Sequence, residues 1–201
     1  MIAIVDYDAG NLKSVQKALE YLGEEAVITG EPEEILQADK VILPGVGAFG
    51  DAMEKLKTKD LVATIQEVDN RQIPFLGICL GLQLLFEESD ETPGVKGLGI
   101  LPGKICAIPP KEGYKIPHMG WNSIHTASDA RLFRGLEQDS YVYFVHSYYL
   151  QAQREEDVTA VTDYIVPIHA SVEHGNTFAC QFHPEKSGEV GLQILKNFCA
   201  L

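Results

Sequence analysis

With 201 residues, 45% of them hydrophobic, the chain has the length and apolar content for one sizeable core, and a single domain over residues 1–201 is expected. Its 29 acidic side chains against 16 basic ones give a formal charge of -13, which speaks against a surface that follows nucleic-acid phosphates or lies on an anionic membrane. The opening Met1-Ile2-Ala3-Ile4-Val5 lacks the charged start of a signal peptide, and no later apolar run nears the roughly 18 residues needed to span a bilayer, so a soluble cytoplasmic protein is expected.

Residues 2–5 form a short apolar run that stops at the turn formers Asp8, Gly10 and Asn11, the pattern of a buried strand. Leu12, Val15, Leu19 and Leu22 then recur at helical spacing with Lys13, Lys17 and Glu20 between them, and Gly23 is a natural stop. The alternation continues as a strand at 26–28, a short helix around 33–38, a strand at 41–43, a helix near 60–68, and a strand at 74–78 that runs into a helix over 80–87. Apolar strands alternating with helices predict an α/β protein with a mainly parallel sheet flanked by helices, because a parallel crossover needs a helix to return the chain. Beyond Val95 the pattern changes to short strand-like pieces at 105–108, 141–145, 168–172 and 177–182, and Gly175-Asn176 makes a hairpin of the last two. The C-terminal half therefore carries an additional antiparallel strand region, closed by a helix over 190–199 with Leu192, Leu195 and Phe198 along one side. There is no internal repeat, linker or low-complexity segment.

The four cysteines, Cys79, Cys106, Cys180 and Cys199, show no paired spacing for a disulfide framework or a zinc site, and most of them read as small buried apolar residues. Cys79 has a different setting. Gly77-Ile78-Cys79-Leu80-Gly81 follows an apolar strand and precedes a helix, the context of a nucleophile elbow with cysteine in the place of serine. A bend this sharp strains the nucleophile's backbone and leaves no room for side chains two residues to either side, while the helix start favours thiolate and offers N–H groups to an oxyanion. A buried core cysteine in a glycine-rich corner is the other reading of the same five residues.

A nucleophilic thiol needs a base, and the chain has six histidines. His183 stands where the last hairpin strand ends and Pro184 breaks regular pairing. Glu185, two positions on, can share a side of an extended stretch with it and accept one imidazole N–H, leaving the other nitrogen to take the thiol proton.

Gly77-Ile78-Cys79-Leu80-Gly81 with Gln83 following, and then Gln181-Phe182-His183-Pro184-Glu185, resemble the class I glutamine amidotransferases. Pro44 to Gly50, Pro117 to Asn122, Tyr143 to Tyr148 and His183 to Ser187 look like the glutaminase-subunit branch of that family that serves imidazole glycerol phosphate synthases. The resemblance spans most of the chain. It implies a flavodoxin-like three-layer fold and hydrolysis of L-glutamine to glutamate and ammonia through a thioester on Cys79, with His183 as base, Glu185 orienting it, and no metal or cofactor. On matching positions it puts the oxyanion hole at the backbone N–H groups of Val46 and Leu80, and glutamine-pocket contacts at Gly47, Gln83, Ser147 and Tyr148. Ordinary loop packing is the alternative for Val46.

Free ammonia is mostly protonated near neutral pH, so its transfer needs a sheltered route through a partner. The resemblance implies a (β/α)8-barrel cyclase that turns a phosphoribulosyl formimino carboxamide ribonucleotide and ammonia into imidazole glycerol phosphate and an aminoimidazole carboxamide ribotide in histidine biosynthesis. Trp121, the only tryptophan, reads as an interface anchor or a core residue, and the resemblance places it at the interface with Tyr143 and Lys186. Rival readings are an amidotransferase subunit serving anthranilate, carbamoyl phosphate, aminodeoxychorismate or pyridoxal phosphate synthesis, a partner-free cysteine hydrolase of the same fold, and a non-catalytic binding module.

Overall fold

β1 (Ile2–Val5) is buried along its whole length, as expected of an apolar run covered on both faces in a parallel sheet. The computed structural model describes residues 1–201. After β1 come α1 (Leu12–Tyr21), β2 (Ala26–Thr29), α2 (Pro32–Gln37), β3 (Lys40–Gly45), α3 (Phe49–Thr58), α4 (Leu61–Asn70), β4 (Phe75–Cys79) and α5 (Leu80–Leu84). The second half contributes β5 (Glu88–Ser89), β6 (Gly103–Ala107), β7 (His118–Thr126), β8 (Ser140–His146), β9 (Tyr148–Ala152), β10 (Val158–Tyr164), β11 (Val166–His174), β12 (Thr177–Cys180) and α6 (Gly188–Cys199).

The sheet runs β2-β1-β3-β4-β12-β11-β10-β7-β8, with β9 branching from β11 to β6 and β5. β2, β1, β3, β4 and β12 are mutually parallel, the pairing from β11 to β8 and along the branch to β9 and β6 is antiparallel, and β5 lies parallel to β6. The expected antiparallel region thus continues the parallel one, and β12 is the seam: antiparallel to β11 through the Gly175-Asn176 turn, parallel to β4 on its other edge. Alternate strand residues face two cores. Ala3, Val5, Val41 and Leu43 meet Ile35, Leu56 and Ile65 from α2, α3 and α4 on one face. Ile2, Ile4 and Ile42 meet Val15 and Leu19 from α1 and Ile194 and Phe198 from α6 on the other. No helix is long and apolar enough to cross a membrane.

The structure departs from the sequence expectation at four points. The helix predicted over 80–87 stops at Leu84, because the carbonyls of Leu84, Leu85, Phe86 and Glu87 accept hydrogen bonds from the backbone of residues 97–101 instead of from a further helical turn. Helix α3 was not anticipated, although Phe49, Ala52, Met53 and Leu56 form a buried stripe at helical spacing. Its N-terminus has no local side-chain cap; the Glu91 carboxylate accepts from the Phe49 N–H at 2.8 Å, a contact between residues 42 apart. Cys79 and Cys180 are buried, whereas Cys106 and Cys199 are half-buried at the periphery, so burial covers fewer of the cysteines than expected. The strands β5, β7, β9 and β10 are additional to those expected.

Candidate active site

The carboxyl ends of β3, β4 and β12 lie side by side. Gly45 is in register with Cys79, and Ile78 with Cys180, so the Val46-Gly47 turn leaves the sheet on one flank of Cys79 and Gln181 to His183 leave it on the other. Residues more than a hundred positions apart are thereby brought within neighbouring strand spacings of about 4.8 Å.

Cys79 adopts φ 55 and ψ -109, a conformation costing a non-glycine residue on the order of 1–3 kcal/mol. The neighbouring glycines impose it: a Cβ on Gly81 would lie 1.8 Å from the Leu43 carbonyl oxygen, and one on Gly77 would lie 2.9 Å from the Gly81 backbone. The bend is therefore pressed against β3 by direct backbone contact. Gln181 Nε2 points at Cys79 Sγ from 3.7 Å.

His183 and Glu185 face each other, Nδ1 to Oε1 at 2.8 Å, with side chains only 3% and 1% exposed. The backbone of His183 is pinned as well, its N–H donating to the Tyr143 carbonyl at 2.9 Å and its carbonyl accepting from Ser187 Oγ at 2.6 Å. Throughout the chain, the buried side-chain polar atoms left without a partner are His183 Nε2 and Glu185 Oε2. Unsatisfied buried polarity is costly, and its concentration here marks a site built for something other than stability. Burial would pull the His183 ring down, but the nearby Cys79 and the hydrogen-bonded Glu185 carboxylate outweigh it and raise the ring from 6.5 to about 10. Nε2 has no partner of ordinary hydrogen-bond geometry in this resting arrangement, yet the thiol is near enough to bias the ring electrostatically.

A pocket of about 450 Å³ opens over these groups. Val46, Gly47, Cys79, Leu80, Gln83, Ser147, Tyr148 and His183 line it, and Glu185 lies behind His183. The Pro44 to Gly50 turn is tied at both ends: Tyr7 Oη donates to the Pro44 carbonyl at 2.9 Å, and Glu91 and Thr92 side chains accept from Phe49 and Gly50 N–H groups at 2.8 and 3.2 Å. Between the ties the N–H groups of Val46 and Gly47 donate to no protein acceptor, and Gly47 sits at φ 99, open to a left-handed peptide that a side chain would oppose.

Trp121, Tyr143 and Lys186 stand outside the pocket. In the β7 and β8 ribbon even-numbered residues point inward and odd-numbered ones outward, which leaves Met119, Trp121 and Tyr141 exposed at 62%, 56% and 59%. Trp121 and Tyr143 are a cross-strand pair with rings edge-on at 6.2 Å, and Lys186 is exposed nearby in the turn after His183. The core reading of Trp121 is therefore wrong. Glu91, Pro117, Val145 and His146 also line the pocket, and Gln181 reaches the thiol, though the sequence reading assigned none of them a role. Glu91 had no distinguishing signal among the acidic residues around it. His146 and Gln181 lie within the segments Tyr143 to Tyr148 and Gln181 to Glu185, but only strand register shows what they touch. No three His, Cys, Asp or Glu side chains converge as metal ligands would.

A thiol on a strained strand-to-helix bend, an imidazole backed by a carboxylate, and unengaged N–H groups beside a pocket are the parts that acyl transfer through a covalent thioester requires. Residues 3–201 match the family described as "Glutamine amidotransferase class-I". The chain is 54% identical over 198 residues to "Imidazole glycerol phosphate synthase subunit HisH" of Bacillus cereus (strain G9842), covering 98% of this chain and 93% of that one. It is 51% identical, with the same coverage, to the protein of that name from Bacillus thuringiensis (strain Al Hakam). Among solved structures it is similar to a "glutamine amidotransferase" with a TM-score of 0.76 and 19% identity, covering 99% of this chain and 100% of that one. A second likeness is to "PurLQS from Thermotoga maritima", with a TM-score of 0.74 and 20% identity over 99% and 97% of the two chains. At such identities these two structures speak for the fold alone.

Proposed function

The chain belongs to the class I glutamine amidotransferases, and on that premise we propose that it is the single-domain, cytoplasmic glutaminase subunit of an imidazole glycerol phosphate synthase, with Cys79, His183 and Glu185 as its catalytic set. The observation that carries this reading is the meeting of the strained Cys79 bend with the buried His183–Glu185 pair in one pocket, in a chain 54% identical to a subunit of that synthase.

The Cys79 thiolate attacks the γ-carboxamide carbon of glutamine, and the oxyanion that forms is met by the N–H groups of Leu80 and Val46. A ring held protonated up to about pH 10 is suited to giving its proton to the departing nitrogen, which leaves as ammonia. The neutral imidazole then takes a proton from water, hydroxide opens the thioester, and the thiol is restored as glutamate leaves. Glu185 keeps Nδ1 in place, so that Nε2 is the nitrogen that exchanges protons. In the pocket Glu91 offers a carboxylate and Gln83 its amide oxygen, both acceptors matched to the α-ammonium of an amino acid.

The ammonia is delivered to a (β/α)8-barrel cyclase seated on the exposed ribbon face. Met119, Trp121 and Tyr141 give that face an aromatic and apolar centre, and Tyr143, bonded through its carbonyl to the His183 N–H, joins it to the pocket. The test is glutamine hydrolysis by wild type and Cys79→Ala, each with and without the cyclase and its nucleotide ligand. Loss of about 10⁴-fold or more in Cys79→Ala, with stimulation of wild type by the loaded cyclase, is expected. Hydrolysis that survives the substitution would remove Cys79 from the chemistry.

A further inference from the structure

Three histidines are buried, His118, His146 and His183, and the thiol chemistry uses only the last. The other two form a chain with one possible polarity. His146 Nδ1 is 2.9 Å from the Tyr148 carbonyl oxygen, which can only accept, so Nδ1 carries the proton and Nε2 of a neutral ring is bare. His118 Nδ1 lies 2.9 Å from that Nε2 and must donate to it. His118 Nε2 is then an acceptor, and the Asn122 side-chain amide faces it at 3.3 Å. Burial lowers His118 to about 4 and, with the charge of His118 and His183 adding to burial, lowers His146 to about 3, so both rings hold the neutral form this chain demands.

The Tyr148 carbonyl has a second donor. Gln83 Nε2 reaches it at 3.1 Å and also reaches Gln181 Oε1 at 3.1 Å. With both amide hydrogens engaged, Gln83 can only turn Oε1 outward, and Oε1 accepts from no protein donor. Gln181, receiving at its oxygen, is left with Nε2 for the Cys79 sulfur. One carbonyl thus fixes the direction of two hydrogen-bond chains, and His146 and Gln83 are the two groups it orients.

We propose that the neutral His118–His146 pair is a positioning element for substrate: it holds the Tyr148 carbonyl in place, and through it the Gln83 amide, so that Gln83 Oε1 is presented to the amino-acid end of glutamine. This rests on the glutaminase reading. Neither histidine touches the reacting atoms, so their effect falls on glutamine binding rather than on the thiolate.

The experiment measures glutamine KM and kcat in the complex with the cyclase, together with the rate at which iodoacetamide alkylates Cys79, for wild type, His146→Leu and His146→Asn. Leucine removes the donor to Tyr148; asparagine keeps an N–H where Nδ1 was. His146→Leu should raise KM about tenfold, the size expected for one buried hydrogen bond, with kcat and alkylation changed by less than about threefold, and His146→Asn should recover most of the KM. An unchanged KM in His146→Leu overturns the proposal. So does a joint fall of KM performance, kcat and alkylation that asparagine fails to rescue, since that is a packing defect. A wild-type complex that does not hydrolyse glutamine, or a Cys79→Ala complex that still does, strikes instead at the glutaminase reading beneath it.

Discussion

Between Gly77 and Gly81, position is set by backbone against backbone: the bend lies so close to β3 that a Cβ at Gly81 would fall 1.8 Å from the Leu43 carbonyl oxygen. In the β7 and β8 ribbon, position is set by side chains. His118 is stacked on Phe144 and Tyr164 at centroid distances of 4.7 and 4.0 Å, and hydrogen bonds join it to Asn122 and His146. Close-packed backbone has no softer arrangement to relax into, so the bend should fail abruptly when altered. A side-chain network can lose one link and keep the rest, so the ribbon should degrade by steps, and its outer face can be changed at almost no cost to the fold.

The largest effect is expected at the bend. Gly81→Ala forces β3 and α5 apart, and its cost should be about 3 kcal/mol or more, measured by denaturant unfolding, with glutaminase activity lost along with stability. An alanine variant of wild-type stability would show that the bend is softer than its contacts imply. A smaller effect, confined to association, is expected on the ribbon. Trp121 is 56% exposed, so Trp121→Ala should shift unfolding by less than about 0.5 kcal/mol while weakening cyclase binding in a titration by about 2 kcal/mol, or some 30-fold. Unchanged affinity would move the interface off this face.

The same contrast governs how much could be read beforehand. The bend is written in five consecutive residues, so strand, glycines and thiol were legible together, and helix α1 with its stop at Gly23 was legible for the same local reason. His183 and Glu185 were legible as a pair because they are two residues apart, but their place beside Cys79 depends on β12 lying parallel to β4, which no local pattern states. The helix α3 start and the early end of α5 are decided by Glu91 and by residues 97–101, so reading either segment alone misjudged both. The His118–His146 chain is the extreme case. It exists because those two residues are exact register partners across β7 and β8, and β7 itself was not foreseen.

That buried pair also gives the ribbon a signature in acid which the bend lacks. A histidine whose folded value lies below its ordinary 6.5 takes its proton in the unfolded chain first, so folding stability falls as pH drops through 6.5 and stops falling below the folded values, about 4 for His118 and about 3 for His146. His183 is raised, so its contribution is fully present below 6.5 and adds no slope there. The carboxylates of Asp39, Glu67, Glu88 and Asp90 are held below ordinary values of 3.8 to 4.5 by their ion-pair and hydrogen-bond partners, so their contributions are lost only in stronger acid. Across the interval from about pH 7 to about pH 5 the loss from this pair should be about 3 kcal/mol, because its two rings take up nearly two protons in the unfolded chain and almost none in the folded one. Denaturant unfolding at several pH values checks this, with the His118→Gln, His146→Asn double variant expected to lose at least half of the slope. If the double variant keeps the full slope, the acid sensitivity belongs to other groups, and the pair is not held neutral by the fold.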